Sequence, residues 1–235
     1  MSKFEVTAEV FEKLPTYCLG VVVARGVDNG TTNAKVTQMM NDEMDAFITR
    51  MEGINLKEYP GIKPYRDAFL SLGMNPNKFM CSVEALSKRV QKGNRLPNID
   101  PIVDLGNALS LKYCLPMGAH DIEKLDGDMT VGFSTTEDYF LPMGENEAEQ
   151  MPDQELVYVS NHTVKTRRWI WRQSDDGKID EKTGYIFYPI DGFVDANLEN
   201  VKRATAELAK FLAEEFGCEV KTGFIDSTHT SVEFF

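Results

Sequence analysis

The residues that could do chemistry are concentrated at residues 82–127, where polar side chains interrupt apolar runs. His120 and Asp121 are adjacent, and they could supply a general base and a carboxylate that polarises a water molecule. Asp104 and Asn107 lie three residues apart, a spacing that places both on one face of a helix. The sequence therefore predicts a pocket for ester hydrolysis or for binding a substrate amine, with His120 and Asp121 as the catalytic residues.

Structural explanations of the same residues stay open at this point. Asp104, Asn107 and Asp121 could satisfy backbone amides in turns, and a lone histidine is more often an inert packed residue. No Ser–His–Asp arrangement can be assigned from the spacing. The residues predicted to bind substrate are Asp104, Asn107, Gly118, Arg66, Arg89 and Asn94. We expect the helical pair and the His120–Asp121 corner to line one recess.

A second informative segment, residues 166–172, combines arginines with both tryptophans of the chain. Read as a strand, it places Trp169 and Trp171 on one face and Arg168 and Arg172 on the other. Such a segment could stack a base and clamp a phosphate or a carboxylate. The ordinary alternative is that the tryptophans pack against a helix while the arginines are solvated. We predict RNA contacts at Arg168, Trp169, Trp171 and Arg172.

The charge of the chain limits its partners. With 37 acidic and 25 basic residues among 235, the formal net charge is -12. Proteins that grip long stretches of nucleic acid are usually basic, because phosphate contacts dominate the affinity. If the chain meets RNA, we therefore expect contact through a local basic patch or only at the RNA end, and DNA is not expected. A small molecule, such as a free amino acid or nucleotide, or a protein is equally compatible with this charge.

Motifs for metals, cofactors and membranes are not found in the sequence. The four cysteines form no CxxC pair and the three histidines have no ligand spacing, so we expect reduced thiols, no metal site and no cofactor. No P-loop, GxGxxG or GxSxG occurs. No apolar run approaches the roughly 20 residues of a membrane span. The first residues lack the apolar centre of a signal peptide, so we expect a cytoplasmic protein.

The elements that must position these residues are mixed in type. Residues 17–24 read as a buried strand, residues 36–51 and 198–216 have helical apolar spacing, and Asp100–Pro101 is a helix start. Further strands are predicted at residues 117–125, 129–134, 137–141, 156–160, 167–172, 185–190 and 219–224. With no repeat or linker, we predict an α+β fold: one compact domain over residues 1–235, with mixed or antiparallel β layers and packed helices.

Four segments in this order resemble the B3/4 domain, the editing module of the phenylalanyl-tRNA synthetase beta chain, here as a freestanding protein. They are residues 82–90, 96–99, 103–108 and 115–122. Residues 65–66 and 168–172 with Thr183 are also similar, and the resemblance covers residues 60–191. It implies an α+β fold with a pocket between a β layer and helices. It also implies hydrolysis of the ester that joins a wrong amino acid, tyrosine in the synthetase, to the terminal ribose of a tRNA.

One position departs from the family pattern, which has a histidine two residues after the proline of this corner. Here Gly118 is in that position and the histidine is His120. The first hypothesis is a deacylase of mischarged aminoacyl-tRNA with His120 as base, and not a ligase on its own. The alternative is a non-catalytic module that binds an amino acid, a nucleotide or an RNA end. A structural subunit of a complex is a weaker third hypothesis.

Overall fold

Helices and strands alternate irregularly along the computed structural model, which describes residues 2–235. The helices are α1 Ala8–Lys13, α2 Ala34–Arg50, α3 Lys63–Ser71, α4 Ser82–Gln91, α5 Pro101–Tyr113 and α6 Leu198–Glu215. The strands are β1 Lys3–Val6, β2 Tyr17–Arg25, β3 His120–Asp121, β4 Met129–Phe133, β5 Tyr139–Phe140, β6 Glu149–Gln150, β7 Leu156–Ser160, β8 Thr163–Arg167, β9 Arg172–Gln173, β10 Tyr185–Phe193, β11 Glu219–Ile225 and β12 Ser231–Glu233.

The strands form two sheets. The larger sheet has the order β12-β1-β4-β7-β8-β5-β6, with β9 paired to β8, and the smaller has the order β11-β2-β10-β3. The pairs β1–β4 and β5–β8 are parallel, and the remaining pairs are antiparallel. This arrangement confirms the predicted α+β class with mixed β layers.

The smaller sheet lies between the larger sheet and a layer of helices. Along β10, Phe187 and Phe193 face the core shared with the larger sheet, which includes Tyr158. The alternate residues Ile186 and Tyr188 face the core shared with α5 and α6. Because successive side chains of a strand point to opposite faces, β10 contributes to both cores. Its burial on both faces explains the nearly uninterrupted apolar run.

Side-chain caps mark the starts of two helices, and the terminal elements of the chain pack onto the two sheets. The side chains of Asn33 and Asp100 accept backbone hydrogen bonds at the starts of α2 and α5, and Pro101 is the first residue of α5. Helix α4 begins at Ser82, directly after Cys81. The strand β1 joins β4 and β12, and α6 packs on the smaller sheet. That residues 1–235 form one domain stays a prediction.

The predicted strand over residues 167–172 is wrong, because a turn over residues 168–171 separates β8 from β9. Arg168 and Trp169 have φ of 49° and 59°, a left-handed conformation that bulky residues rarely adopt. Trp169 consequently points into the core, while Trp171 is half-buried beside it. The predicted strand at residues 117–125 is also shorter, since β3 is followed by a 3-10 turn at Ile122–Lys124. Over residues 2–235, no helix has the length and apolarity of a membrane span.

Candidate functional site

A recess of about 120 Å³ opens between the two sheets, beside the first turn of α4 and the turn between β8 and β9. We call it the inter-sheet recess. The residues that determine its chemistry are Gly118, His120, Tyr158, Trp171, Arg172 and Asp191. Ligand pockets for drug-sized molecules measure roughly 300–1,000 Å³, so this recess has room only for a group of amino-acid size. Four of the predicted site residues meet here.

His120 forms part of the wall of the recess and is a neutral side chain. It pairs with Phe187 across β3 and β10, which directs its ring into the space between the sheets. The ring stacks on Phe187 and Tyr158, with centroids 5.1 and 5.9 Å away. Burial, aided by the charge of Lys165, lowers the pKa of His120 to about 3. At pH 7 the imidazole can therefore make hydrogen bonds, but it is a much weaker base than the sequence prediction required.

Asp121 faces away from the recess, which corrects its prediction as a catalytic partner of His120. Its Oδ2 accepts a hydrogen bond from Thr183 Oγ1 at 2.7 Å, and its Oδ1 accepts from the backbone N–H of Glu123 at 2.9 Å. Lys124 Nζ lies 3.5 Å from Oδ2. Adjacent residues of a strand point to opposite faces, so His120 and Asp121 of β3 cannot both enter the recess.

Asp104 and Asn107 are also separated from the recess, and the predicted single recess is not formed. Helix α5 packs on the face of the smaller sheet that is turned away from the larger sheet. Asp104 Oδ1 accepts from the backbone N–H of Ile99 at 3.0 Å, and Asp104 lines a different, open cleft of about 410 Å³. Asn107 is half-buried on α5 and lines neither space. The smaller sheet itself lies between the two polar signatures.

Arg66, Arg89 and Asn94 do not reach the recess either. Arg66 has a structural role, since its Nη1 donates to Glu84 Oε1 at 2.6 Å and connects α3 to α4. Arg89 and Asn94 are exposed at the far end of α4. Arg89 follows the recess residue Ser82 by seven positions, which a helical rise of 1.5 Å converts into about 10 Å. The structure therefore gives these three residues no place in the inter-sheet recess.

The rim of the recess carries stacked aromatic and cationic groups. The Arg168 guanidinium lies 4.0 Å from the Phe79 ring centroid and 4.7 Å from that of Trp171. The Arg172 guanidinium lies 4.8 Å from the Trp171 centroid. Arg168 is also 3.5 Å from Glu155, whereas Arg172 has no carboxylate within salt-bridge distance in residues 2–235. Arg172 is therefore the uncompensated cation at the recess mouth.

Trp169 cannot contact RNA, because its side chain is fully buried. Its indole N–H donates to Asp191 Oδ1 at 3.0 Å and its ring packs edge-on against Tyr17. The turn that brings Trp171 to the rim thus directs Trp169 into the core between the sheets. The RNA-contact prediction for Trp169 is wrong for this reason, while those for Arg168, Trp171 and Arg172 stay predictions.

Asp191 at the floor of the recess is the residue that the sequence reasoning missed. It is 2% exposed, and its Oδ1 accepts from the hydroxyls of Tyr17 and Tyr158 at 2.6 and 2.7 Å. Burial raises the pKa of Asp191 to about 6, although hydrogen bonds from Tyr17, Tyr158 and Trp169 oppose that effect. The signal was present: Asp191 is the one charged residue of the apolar run at residues 185–193.

The recess therefore combines three kinds of group within one small volume. A carboxylate lies at the floor, a neutral imidazole lies on the wall, and an uncompensated guanidinium lies at the mouth. In residues 2–235 no group of histidine, cysteine and acidic side chains has a metal-binding arrangement. The arrangement can orient a small polar ligand by hydrogen bonds at one end and contact an anion at the other.

Comparisons with known proteins identify the family. No curated protein matches the chain. A crystal structure of an N-terminal fragment of the phenylalanyl-tRNA synthetase beta-subunit from Pyrococcus horikoshii aligns with a TM-score of 0.49 and 12% identity, over 93% of this chain and 50% of that chain. The chain thus spans about half the length of that fragment. The B3/4 domain family profile matches residues 64–214, more than half of the sequence, so the chain belongs to the B3/4 domain family.

Proposed function

We propose that the inter-sheet recess is the active site of an esterase that acts on the 3′ end of a mischarged aminoacyl-tRNA. The observation that carries the proposal is the recess, where Gly118, His120 and Asp191 converge beneath Arg172. The resemblance to the synthetase editing module supplies the reaction class, and the B3/4 family match is consistent with it. Its size suits the acyl group of one amino acid, with the ribose and phosphates outside.

In this reaction a water oxygen attacks the ester carbonyl and the ribose oxygen leaves with a proton, so no oxidant or metal is required. The neutral imidazole of His120 could donate a hydrogen bond to the oxyanion that develops on the carbonyl. With a pKa of about 3 it is too weak a base to be assigned as the acceptor of the water proton. An aminoacyl ester is already activated, so fixing ester and water at contact distance can supply much of the rate enhancement.

The rim is the proposed contact for the terminal nucleotides. Trp171 offers a ring on which a base could stack, and Arg172 offers a guanidinium free to bind a phosphate. Arg168 contributes less charge, because it lies near Glu155. With a net charge of -12, the chain has no overall field that favours RNA, so the interaction is confined to this patch.

A deacylation assay tests the proposal with a panel of tRNAs, each charged with a cognate or a wrong amino acid. We expect release of at least one amino acid above the rate in buffer. A Cβ at Gly118 meets no atom within 4 Å, so Gly118→Ala adds a methyl group to the recess without a clash and should lower kcat/KM. Gly184→Ala is the matched control, since its Cβ would meet only the Val27 carbonyl oxygen at 3.9 Å, outside the recess. The buffer rate with every charged tRNA would rule the esterase out.

A non-catalytic binding module is the second function, and the state of His120 favours it. With a pKa of about 3, the imidazole leaves the recess without a histidine base at neutral pH. The recess would then bind a free amino acid or an RNA end without turnover. A ligand at 100 times its Kd adds about 2.7 kcal/mol to the free energy of unfolding, so thermal-shift screening detects it. Such stabilisation without deacylation selects this function over the esterase.

A further inference from the structure

The two carboxylate oxygens of Asp191 have different surroundings. Oδ1 is saturated, since it accepts from Tyr17, Tyr158 and Trp169 at 2.6, 2.7 and 3.0 Å. Oδ2 accepts no hydrogen bond from residues 2–235. It is nevertheless absent from the fully enclosed polar atoms that lack a partner, so it keeps some access to solvent. Because Asp191 lines the inter-sheet recess, the recess is the route by which a ligand would reach Oδ2.

The charge of Asp191 is not balanced by a cation of the protein. The groups that act most strongly on it are neutral O–H and N–H donors, while burial raises its pKa to about 6, so it is ionised at pH 7. Arg172, the nearest uncompensated cation of the recess lining, is exposed and stacked on Trp171. An ionised carboxylate in an apolar surrounding is costly unless it is paired. The open oxygen therefore calls for a ligand that donates hydrogen bonds and carries positive charge.

From this geometry we propose that Asp191 Oδ2 accepts a hydrogen bond from the α-ammonium group of the ligand, so that the recess selects aminoacyl groups with a free amine. The inference rests on the proposed function in taking the recess as the ligand site. An ammonium has three donors and fits a space of about 120 Å³. In an aminoacyl group the amine is two bonds from the carbonyl carbon, so the anchor would also hold the ester beside His120 and Gly118.

The test uses ligand pairs that differ only in the amine. The probes are 3′-aminoacylamino-3′-deoxyadenosines of alanine, serine, leucine and tyrosine, whose amide resists hydrolysis, and their counterparts without the α-amine. Binding to the protein and to Asp191→Asn is measured by calorimetry. A charge-assisted hydrogen bond predicts that at least one amine probe binds about tenfold or more tightly than its counterpart. In Asp191→Asn, which keeps the shape and an acceptor for the bonds now made to Oδ1, the ratio should fall to about one.

Each outcome bears on the inference. Equal binding of every pair to the unaltered protein overturns the inference. Weak binding of all probes overturns it as well, because the amine then adds no measurable affinity. Selectivity that persists in Asp191→Asn also overturns it. Should that variant not fold, the ratio in the unaltered protein still decides the question. The deacylation assay is separate: amine selectivity without turnover refutes the esterase alone, and turnover without amine selectivity refutes the anchor alone.

Discussion

Replacing Asp191 with asparagine should stabilise the protein at neutral and alkaline pH. The pKa of Asp191 lies at about 6 in the folded chain, against an ordinary value of 3.8. Because each pKa unit corresponds to about 1.4 kcal/mol, keeping this carboxylate ionised costs the folded state about 3 kcal/mol. The side-chain amide of the variant Asp191→Asn has no charge to keep, and its oxygen can still accept the bonds that Oδ1 accepts.

The sign of the pH dependence follows from proton binding. Between pH 3.8 and 6 the folded chain binds a proton at Asp191 that the unfolded chain has lost, so this residue makes stability fall as the pH rises. Below that window both states are protonated and the cost vanishes, whereas above it the cost is constant. The advantage of Asp191→Asn should therefore grow by about 2 kcal/mol between pH 4.5 and pH 8 and then stay level.

Urea unfolding of both proteins at several pH values from 4.5 to 8 measures this difference. Other titrating groups, His120 among them, are present in both proteins and cancel in the subtraction. Glu52→Gln removes one exposed carboxylate that makes no ion pair within residues 2–235, and it corrects for the change in net charge. An advantage that is the same at pH 4.5 and pH 8, or that shrinks as the pH rises, would refute the assigned burial and charge of Asp191.

Three further predictions concern the surroundings of the recess and its supports. Trp169→Phe removes a donor to Asp191, so we expect a loss of about 1–3 kcal/mol in urea unfolding that is larger at pH 8 than at pH 5, and a loss independent of pH would contradict this. Arg66→Met leaves the buried Glu84 unpaired and should lower the free energy of unfolding by about 3–5 kcal/mol. The double variant Arg66→Met with Glu84→Gln should regain most of this stability. A double variant no more stable than Arg66→Met alone would contradict the prediction. His120→Phe should weaken the fall of stability at acid pH, because the unfolded histidine binds a proton below pH 6.5 that the folded one excludes until about pH 3. This residue should lower the free energy of unfolding of the unaltered protein by about 2 kcal/mol between pH 7.5 and pH 5, and the variant should lack that contribution. The same pH dependence in both proteins would contradict this.

Features set by neighbouring residues were predictable from the sequence. The helix start at Asp100–Pro101, the β-branched run of β2 and the apolar spacing of α6 each depend on residues within a turn or two, and all formed as expected. The opposite directions of His120 and Asp121 were also accessible, because strand alternation alone forbids a shared recess. Assigning both to catalysis overlooked that constraint.

Features set by packing partners were not predictable in the same way. Which face of the smaller sheet α5 covers decides that Asp104 is remote from His120, and nothing in α5 itself specifies that face. The turn over residues 168–171 requires positive φ without glycine, which local propensity argues against. The burial of the Trp169 ring in the core is the tertiary feature that accounts for this turn. Asp191 was visible as a charge in an apolar run, but its donors come from three separate parts of the chain.

Two costly features meet at the inter-sheet recess. The left-handed backbone at Arg168 and Trp169 costs on the order of 1–3 kcal/mol per residue, and the ionised Asp191 adds about 3 kcal/mol. The same turn directs the Trp169 N–H to Asp191 Oδ1 and places Trp171 at the rim, so the strained backbone and the buried charge are linked through Trp169. Unfavourable features that converge on one small opening are expected where a ligand supplies the missing contacts, which is the reason to seek the function of this chain at Asp191 before any other residue.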